Sequence, residues 1–221
     1  MSLATLRARF DSLLGTINGS TTTNFSTTVE NAYEAVALAH VMNEYKRIFG
    51  PVRRLVHPIN NKFLNQSPGK FRIDRSFKVE FLTGLSFYFA ADIEVFGLLA
   101  QLGPVGDLFE ADVVVIPEIE ANDVLTNYRG YPAPRHIHSI YECKFGSYHK
   151  GQLRELLGLK RHLCFLAGKT TTPVPATAAD LFGYATVNSA PNIPLKLVRP
   201  RRLTFFNANT SRLYDLQEIV V

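Results

Sequence analysis

Apolar positions recur at helical spacing from Thr28 to Phe49, where Val29, Tyr33, Val36, Ala37, His40, Val41 and Tyr45 share one stripe. Thr27 with Glu30 three residues on reads as a capping box, and Gly50-Pro51 ends the run. From Phe71 onward the period shortens to two. Arg75–Leu82 alternates, Thr83-Gly84 reads as a turn, and Leu85–Phe96 is long, aromatic and β-prone. Leu108–Ile116 predicts a third strand, stopped by Pro117. Residues 117–135, with Gly130, Pro132 and Pro134, predict an irregular connection, and His138–Phe145 a fourth strand. Helical spacing returns over Tyr148–Leu163 through Leu153, Leu156, Leu157 and Leu163. Beyond the Thr170–Ala176 loop, Leu181–Val187, Pro194–Val198 and Arg202–Asn207 are short strand candidates in no fixed order. Neither a repeat nor an interior linker interrupts this order. The expectation is one α/β (α+β) domain over 1–221, with a core at about 26–165 and a strand-rich elaboration over 166–221.

Composition narrows the class. With 46% hydrophobic and 19% charged residues the chain buries a sizeable core, which excludes disorder throughout. Leu85–Ala91 and Val113–Ile116 are far too short to span a bilayer. Met1–Gly19 interleaves Arg7, Arg9 and Asp11 with its leucines, unlike a signal peptide, so the expected location is cytoplasmic. Cys143 and Cys164 make neither a disulfide framework nor a four-ligand zinc site. The net charge of +5 is unevenly spread. Residues 46–78 carry nine Lys or Arg against Asp74 alone, and residues 129–212 carry thirteen against Glu142, Glu155 and Asp180. Two basic blocks in an otherwise acidic chain suit a polyanion, since each neutralised phosphate releases counterions.

The informative chemistry is Asp112 in FEADVVVI and Glu142 with Lys144 in IYECKFG. Strand alternation projects Glu142 and Lys144 together and turns Tyr141 and Cys143 the other way. An ionised Asp112 inside an apolar strand is costly unless paired or bound to metal. If the two strands are neighbours, two carboxylates hold a hard divalent cation and Lys144 lies near the attacking water or scissile phosphate. Alone, Glu-x-Lys is more often an exposed pair. The apolar-flanked Asp thirty positions earlier, and the strand, Gly and amphipathic helix that follow, favour the site. His136-x-His138 near Cys143 lacks a fourth zinc ligand. Asp92 and Glu94 in FAADIEVFG are expected to face solvent or pair with Arg. Tyr128 and Tyr131 are expected to pack rather than stack on bases.

The order helix, strand, strand with Asp, strand with Glu-x-Lys, helix resembles the PD-(D/E)XK nuclease superfamily over roughly residues 26–165. Glu110–Val115 resembles the first line of its signature and Tyr141–Lys144 the second, although Ala111 stands where many members have Pro. The resemblance implies a restriction-endonuclease-like core, a central mixed β-sheet flanked by helices. It implies a Mg2+-dependent deoxyribonuclease, with Mn2+ able to substitute. Asp112 and Glu142 are then metal ligands, Lys144 activates water or stabilises the transition state, Gln152 assists from the following helix, and Glu34 adds a third acidic ligand from the first core helix. DNA is the implied partner. Arg53, Arg54, Lys62 and Lys70 of the first basic block, and Lys150, Arg154, Lys160 and Arg161 of the second, are the expected phosphate contacts. A homodimer or a restriction or defence-system subunit fits the need to cut two strands. The alternative is a DNA-binding or assembly module that keeps the fold without catalysis.

Overall fold

The computed structural model describes residues 2–18, 29–59, 69–96, 108–143, 195–200 and 216–220. Two helices lead: α1 (Leu3–Asn18) and α2 (Val29–Phe49). Leu6, Phe10, Leu14 and Ile17 fall on one stripe of α1 and are buried, so the leucine-rich start of the chain is a core helix. Of the stripe expected on α2, Tyr33, Val36, Ala37, Val41 and Tyr45 are buried, and Gly50 N–H donates to the Lys46 carbonyl at 3.0 Å to close the helix before Pro51.

Strands follow as β1 (Val52–Val56), β2 (Phe77–Phe81), β3 (Ser86–Phe96), β4 (Leu108–Pro117) and β5 (Ser139–Cys143). The last two are β6 (Leu195–Pro200) and β7 (Leu216–Val220). They form one seven-stranded sheet in sequence order. Every neighbouring pair is antiparallel except β5 and β6, which are parallel. The architecture is therefore mixed α and β, and two strands of the C-terminal stretch complete the core sheet rather than elaborate it. The expected turn at Thr83-Gly84 joins β2 to β3; Gly84 has φ 87°, which a side chain would resist.

One difference from the sequence reading matters for the site. Residues 117–135 are not irregular throughout, because α3 (Glu118–Thr126) opens directly after Pro117. Glu118 and Glu120 in its first turn suit the positive end of the helix dipole.

The central strands β3, β4 and β5 are buried on both faces. On one, α1 and α2 pack with Phe77, Val79, Phe87, Phe89, Val113, Val115, Tyr141 and Cys143. On the other, Ala121 and Val124 of α3 pack with Tyr88, Ala90, Val114, Ile116 and Ile140. Even and odd positions of β3 and β4 thus sort to opposite faces until Asp92 and Asp112. There the pattern breaks in both strands. Ala90 and Ile93 lie in the same cluster three residues apart, and so do Ala111 and Val114.

Candidate functional site

The break in β3 and β4 brings the carboxylates together. Ala91 faces Val113 and Ile93 faces Ala111, which leaves Asp92 facing Asp112. Directly opposed residues in such a ladder lie about 5 Å apart at Cα. Glu94 and Glu110 form the next pair along. Asp92 has φ 52°, a left-handed conformation that Asp tolerates better than most residues. Its strand neighbour here is not β2, whose pairing stops at Phe89. Gly69 takes that place. Its N–H donates to the Asp92 carbonyl at 3.0 Å, and Glu94 N–H donates to the Gly69 carbonyl at 2.9 Å.

Two further acids reach this level. Glu34, half-buried on α2, acts on Asp92 from the helix side. Glu142 lies one step beyond the last paired residues of β4 and β5, Val113 and Tyr141, at the position across from Asp112. The Cys143 N–H donates to the Asp112 carboxylate, so Asp112 is tied to the strand that carries Glu142. Tyr141 and Cys143 are buried against α2, as expected, which leaves Glu142 at the alternate position between them. Asp112 stands at the crossover, between Ala111 in one cluster and Val113 in the other.

Charge confirms the crowding. Burial pushes the Asp92 carboxyl up to about 8, and Glu34, Asp112 and Glu110 add to the rise. Like charges at this separation disfavour full ionisation unless a cation joins them. Asp92 is thus the residue that sequence reasoning misplaced. It neither faces solvent freely nor owes its shift to an Arg; it adjoins the Asp112 carboxylate. The signal was an Asp inside an apolar strand, the same that singled out Asp112.

Of the remaining expected residues, Arg53 and Arg54 are exposed on β1, an edge strand, and Lys70 is exposed next to Gly69. Arg54 pairs with Glu80, which pairs with Ser86. That places it roughly 20 Å from Asp92 measured along β3. Lys70 follows the residue that bonds β3 at Asp92, whereas the β1 arginines are far from that level. Lys144, Gln152, Lys62, Lys150, Arg154, Lys160 and Arg161 lie outside the described residues.

A second cluster competes for a metal. Glu120, Asp123 and His136 place one ligand atom each within 4.8 Å of one another. His136 is fully buried, and its Nδ1 accepts the Ala133 N–H at 3.0 Å. A neutral ring that accepts at Nδ1 carries its proton on Nε2. That proton goes to Asp123 Oδ2 at 2.7 Å, so Nε2 has no lone pair for a metal. The 3.1 Å approach of Arg135 Nε to the same nitrogen is then a contact without a hydrogen bond. Arg135 instead pairs with Asp123 at 3.0 Å. His138 is structural too: its Nδ1 meets the Tyr45 hydroxyl, which also meets Ser139 Oγ, inside a ring of Tyr45, Phe49 and Phe87. His136, His138 and Cys143 therefore have separate surroundings and make no zinc set.

Compared with known proteins, the chain matches no family model, no curated protein and no solved structure.

Proposed function

We propose that this protein is a metal-dependent DNA endonuclease of the PD-(D/E)XK type, hydrolysing phosphodiester bonds at the Asp112–Glu142 centre, with a restriction or defence role as its setting. The observation that carries the reading is the tie between β4 and β5. Asp112 and Glu142 stand on adjacent antiparallel strands, and the backbone beside Glu142 holds the Asp112 carboxylate. The mixed sheet with helices on both faces is the arrangement that the resemblance implies.

Asp112 and Glu142 are the ligands for Mg2+, with Glu34 as the helix-borne acid and Asp92 added here as a fourth carboxylate. Bound there, the cation supplies positive charge to the phosphate oxygens and lowers the pKa of a water. Lys144, two residues past Glu142, offers a proton-rich ammonium to the attacking water and the developing negative charge, and Gln152 orients that water. Mg2+ wants oxygen ligands and keeps several waters, so carboxylates without sulfur or imidazole suit it.

Plasmid DNA incubated with Mg2+, Mn2+ or EDTA tests this. Wild type is expected to nick or linearise DNA only with a divalent cation. Asp112→Asn and Glu142→Gln should each lose at least about 100-fold in rate, equivalent to about 2.7 kcal/mol of transition-state stabilisation. Lys144→Ala should stop cleavage while DNA binding survives. DNA binding by wild type with no cleavage under any cation would replace the nuclease with the non-catalytic module.

A further inference from the structure

Beside the acidic centre lies a feature that cleavage chemistry does not use. Gly69 is bonded to the β3 backbone at Asp92 and Glu94, which sets Lys70 one residue along the chain from that contact. Phe71 N–H donates to the Gly130 carbonyl at 2.7 Å and binds the Arg129–Tyr131 turn to the same segment. The approach is so close that a Cβ on Gly130 would stand 3.0 Å from the Lys70 Cβ. The Lys70 ammonium sits over the Tyr131 ring, 5.3 Å from its centroid. Phe96, the last residue of β3, meets Tyr131 at 5.9 Å and 65° and supports it from the sheet.

Lys70 and Arg129 are both exposed, and among the described residues neither forms an ion pair. Arg129 has φ 54°, a costly conformation for a long side chain. The segment that carries Lys70 meets the β3 backbone at Asp92 and Glu94, and the carboxylates of that centre repel a phosphate approaching Asp112. Cations that have no ion-pair partner among the described residues offset the repulsion where a strand must enter. Tyr131 is half-buried, with the Lys70 ammonium over its ring and Arg129 two residues before it in the chain. A base can use that surface only when unstacked, because in a duplex its two faces are covered by neighbouring bases.

We propose that Lys70, Arg129 and Tyr131 form a seat for unpaired DNA at the mouth of the acidic centre, the two cations taking consecutive phosphates and Tyr131 stacking on a base. The seat rests on the nuclease reading of that centre and names the substrate form it receives, a single strand or an opened segment of duplex. On binding, the Lys70 ammonium leaves the Tyr131 ring for a phosphate and the base takes its place.

The test is fluorescence anisotropy with a short labelled single strand and with its duplex, in EDTA so that no cleavage intervenes. Wild type should bind the single strand at least several-fold more tightly. Lys70→Gln and Arg129→Gly should each weaken that binding about threefold to tenfold at low salt. Tyr131→Leu should weaken it about tenfold and Tyr131→Phe should leave it unchanged, since stacking needs the ring and not the hydroxyl. Arg129→Gly relieves the left-handed strain, so its melting temperature should hold or rise and a binding loss cannot be ascribed to unfolding. Equal affinity for duplex, or wild-type affinity in Tyr131→Leu, or in both charge variants, would overturn the seat. These outcomes are separable from the plasmid assay. A protein that cleaves but shows no effect in these variants keeps its nuclease and loses its seat; one that binds single strands through these residues but never cleaves does the reverse.

Discussion

Asp92 on β3 and Asp123 on α3 are two carboxylates in opposite surroundings. Burial and the acids around it push Asp92 up to about 8. Hydrogen bonds from Asn127 and His136, with Arg135 alongside, hold Asp123 below the ordinary range. By inventory the second region is the better metal site, since it combines a histidine with two acids. By partners it is the worse one. Its donors and acceptors already satisfy each other, whereas the carboxylates around Asp92 add charge of one sign. The pull on a cation follows the sign of the charge gathered at a place, and not which ligand types happen to converge.

The largest expected effect breaks this comparison at its acidic end. The folded Asp92 carboxyl holds its proton above the unfolded range, so the contribution of Asp92 to stability is fullest below about pH 4 and is lost as pH rises toward 8. Asp92→Asn should remove that fall, by at most about 5 kcal/mol at pH 8 and less after solvent screening. Urea melts of both proteins across that range decide it. Parallel curves would show that Asp92 does not carry the charge strain.

His136→Ala tests the other end. It leaves the buried Ala133 N–H without its acceptor and takes one of three donors from Asp123, at a cost of about 2–3 kcal/mol at neutral pH. The sign with pH is reversed here. Burial lowers the His136 pKa, so its contribution is present above about pH 6.5 and is lost as pH falls through the lowered value. The variant should lack that acid-side loss, which a wild-type control at low pH would reveal.

Cation binding sharpens the contrast with a smaller effect. At ten times its dissociation constant, Mn2+ should stabilise wild type by about 1.4 kcal/mol. Asp112→Asn should lose most of this, and Asp123→Asn should keep it. Thermal melts with and without Mn2+ read the difference, and the reverse pattern would move the metal to α3.

The smallest effect concerns the basic blocks. Neutralising Arg53 and Arg54 should make the slope of log affinity on log salt shallower by at most about 1.8, if both meet phosphates. An unchanged slope would take the β1 edge, so far from Asp92, off the DNA path.

Much of the frame was legible before any coordinates. The α2 stripe and the alternation of β3, β4 and β5 reflect burial on a face, which imposes a period that side chains must obey. The segments that escaped notice lack that regularity. β1 exposes Arg53 and Arg54 consecutively, and its pairing slips between Val52 and Arg54, so no alternation survives to be read. α3 hid behind Pro117, taken as a strand stop when it also opens a helix with acids in its first turn. The parallel pairing of β6 with β5 joins residues some fifty positions apart, beyond the reach of any local pattern. In the site, Asp112 and Glu142 were singled out from their settings, and Glu34 only through the resemblance. Asp92 was noticed and sent outward, because strict alternation was assumed through the one place where β3 abandons it.

That interruption has a consequence for how the two strands can change over generations. Because β3 and β4 reverse their inward-facing parity at the same level, each is in phase with the other only while both keep it. Deleting residue 92 alone would leave Ile93 and Val95 on their face but slip them by one position against Ala111 and Phe109 of an unchanged β4. The matched deletion at 112 would restore two regular strands, at the loss of both acids together. Length variation is therefore forbidden singly and permitted only as a pair, which makes the spacing of the two strands a more durable mark of this protein's descent than any one of its side chains.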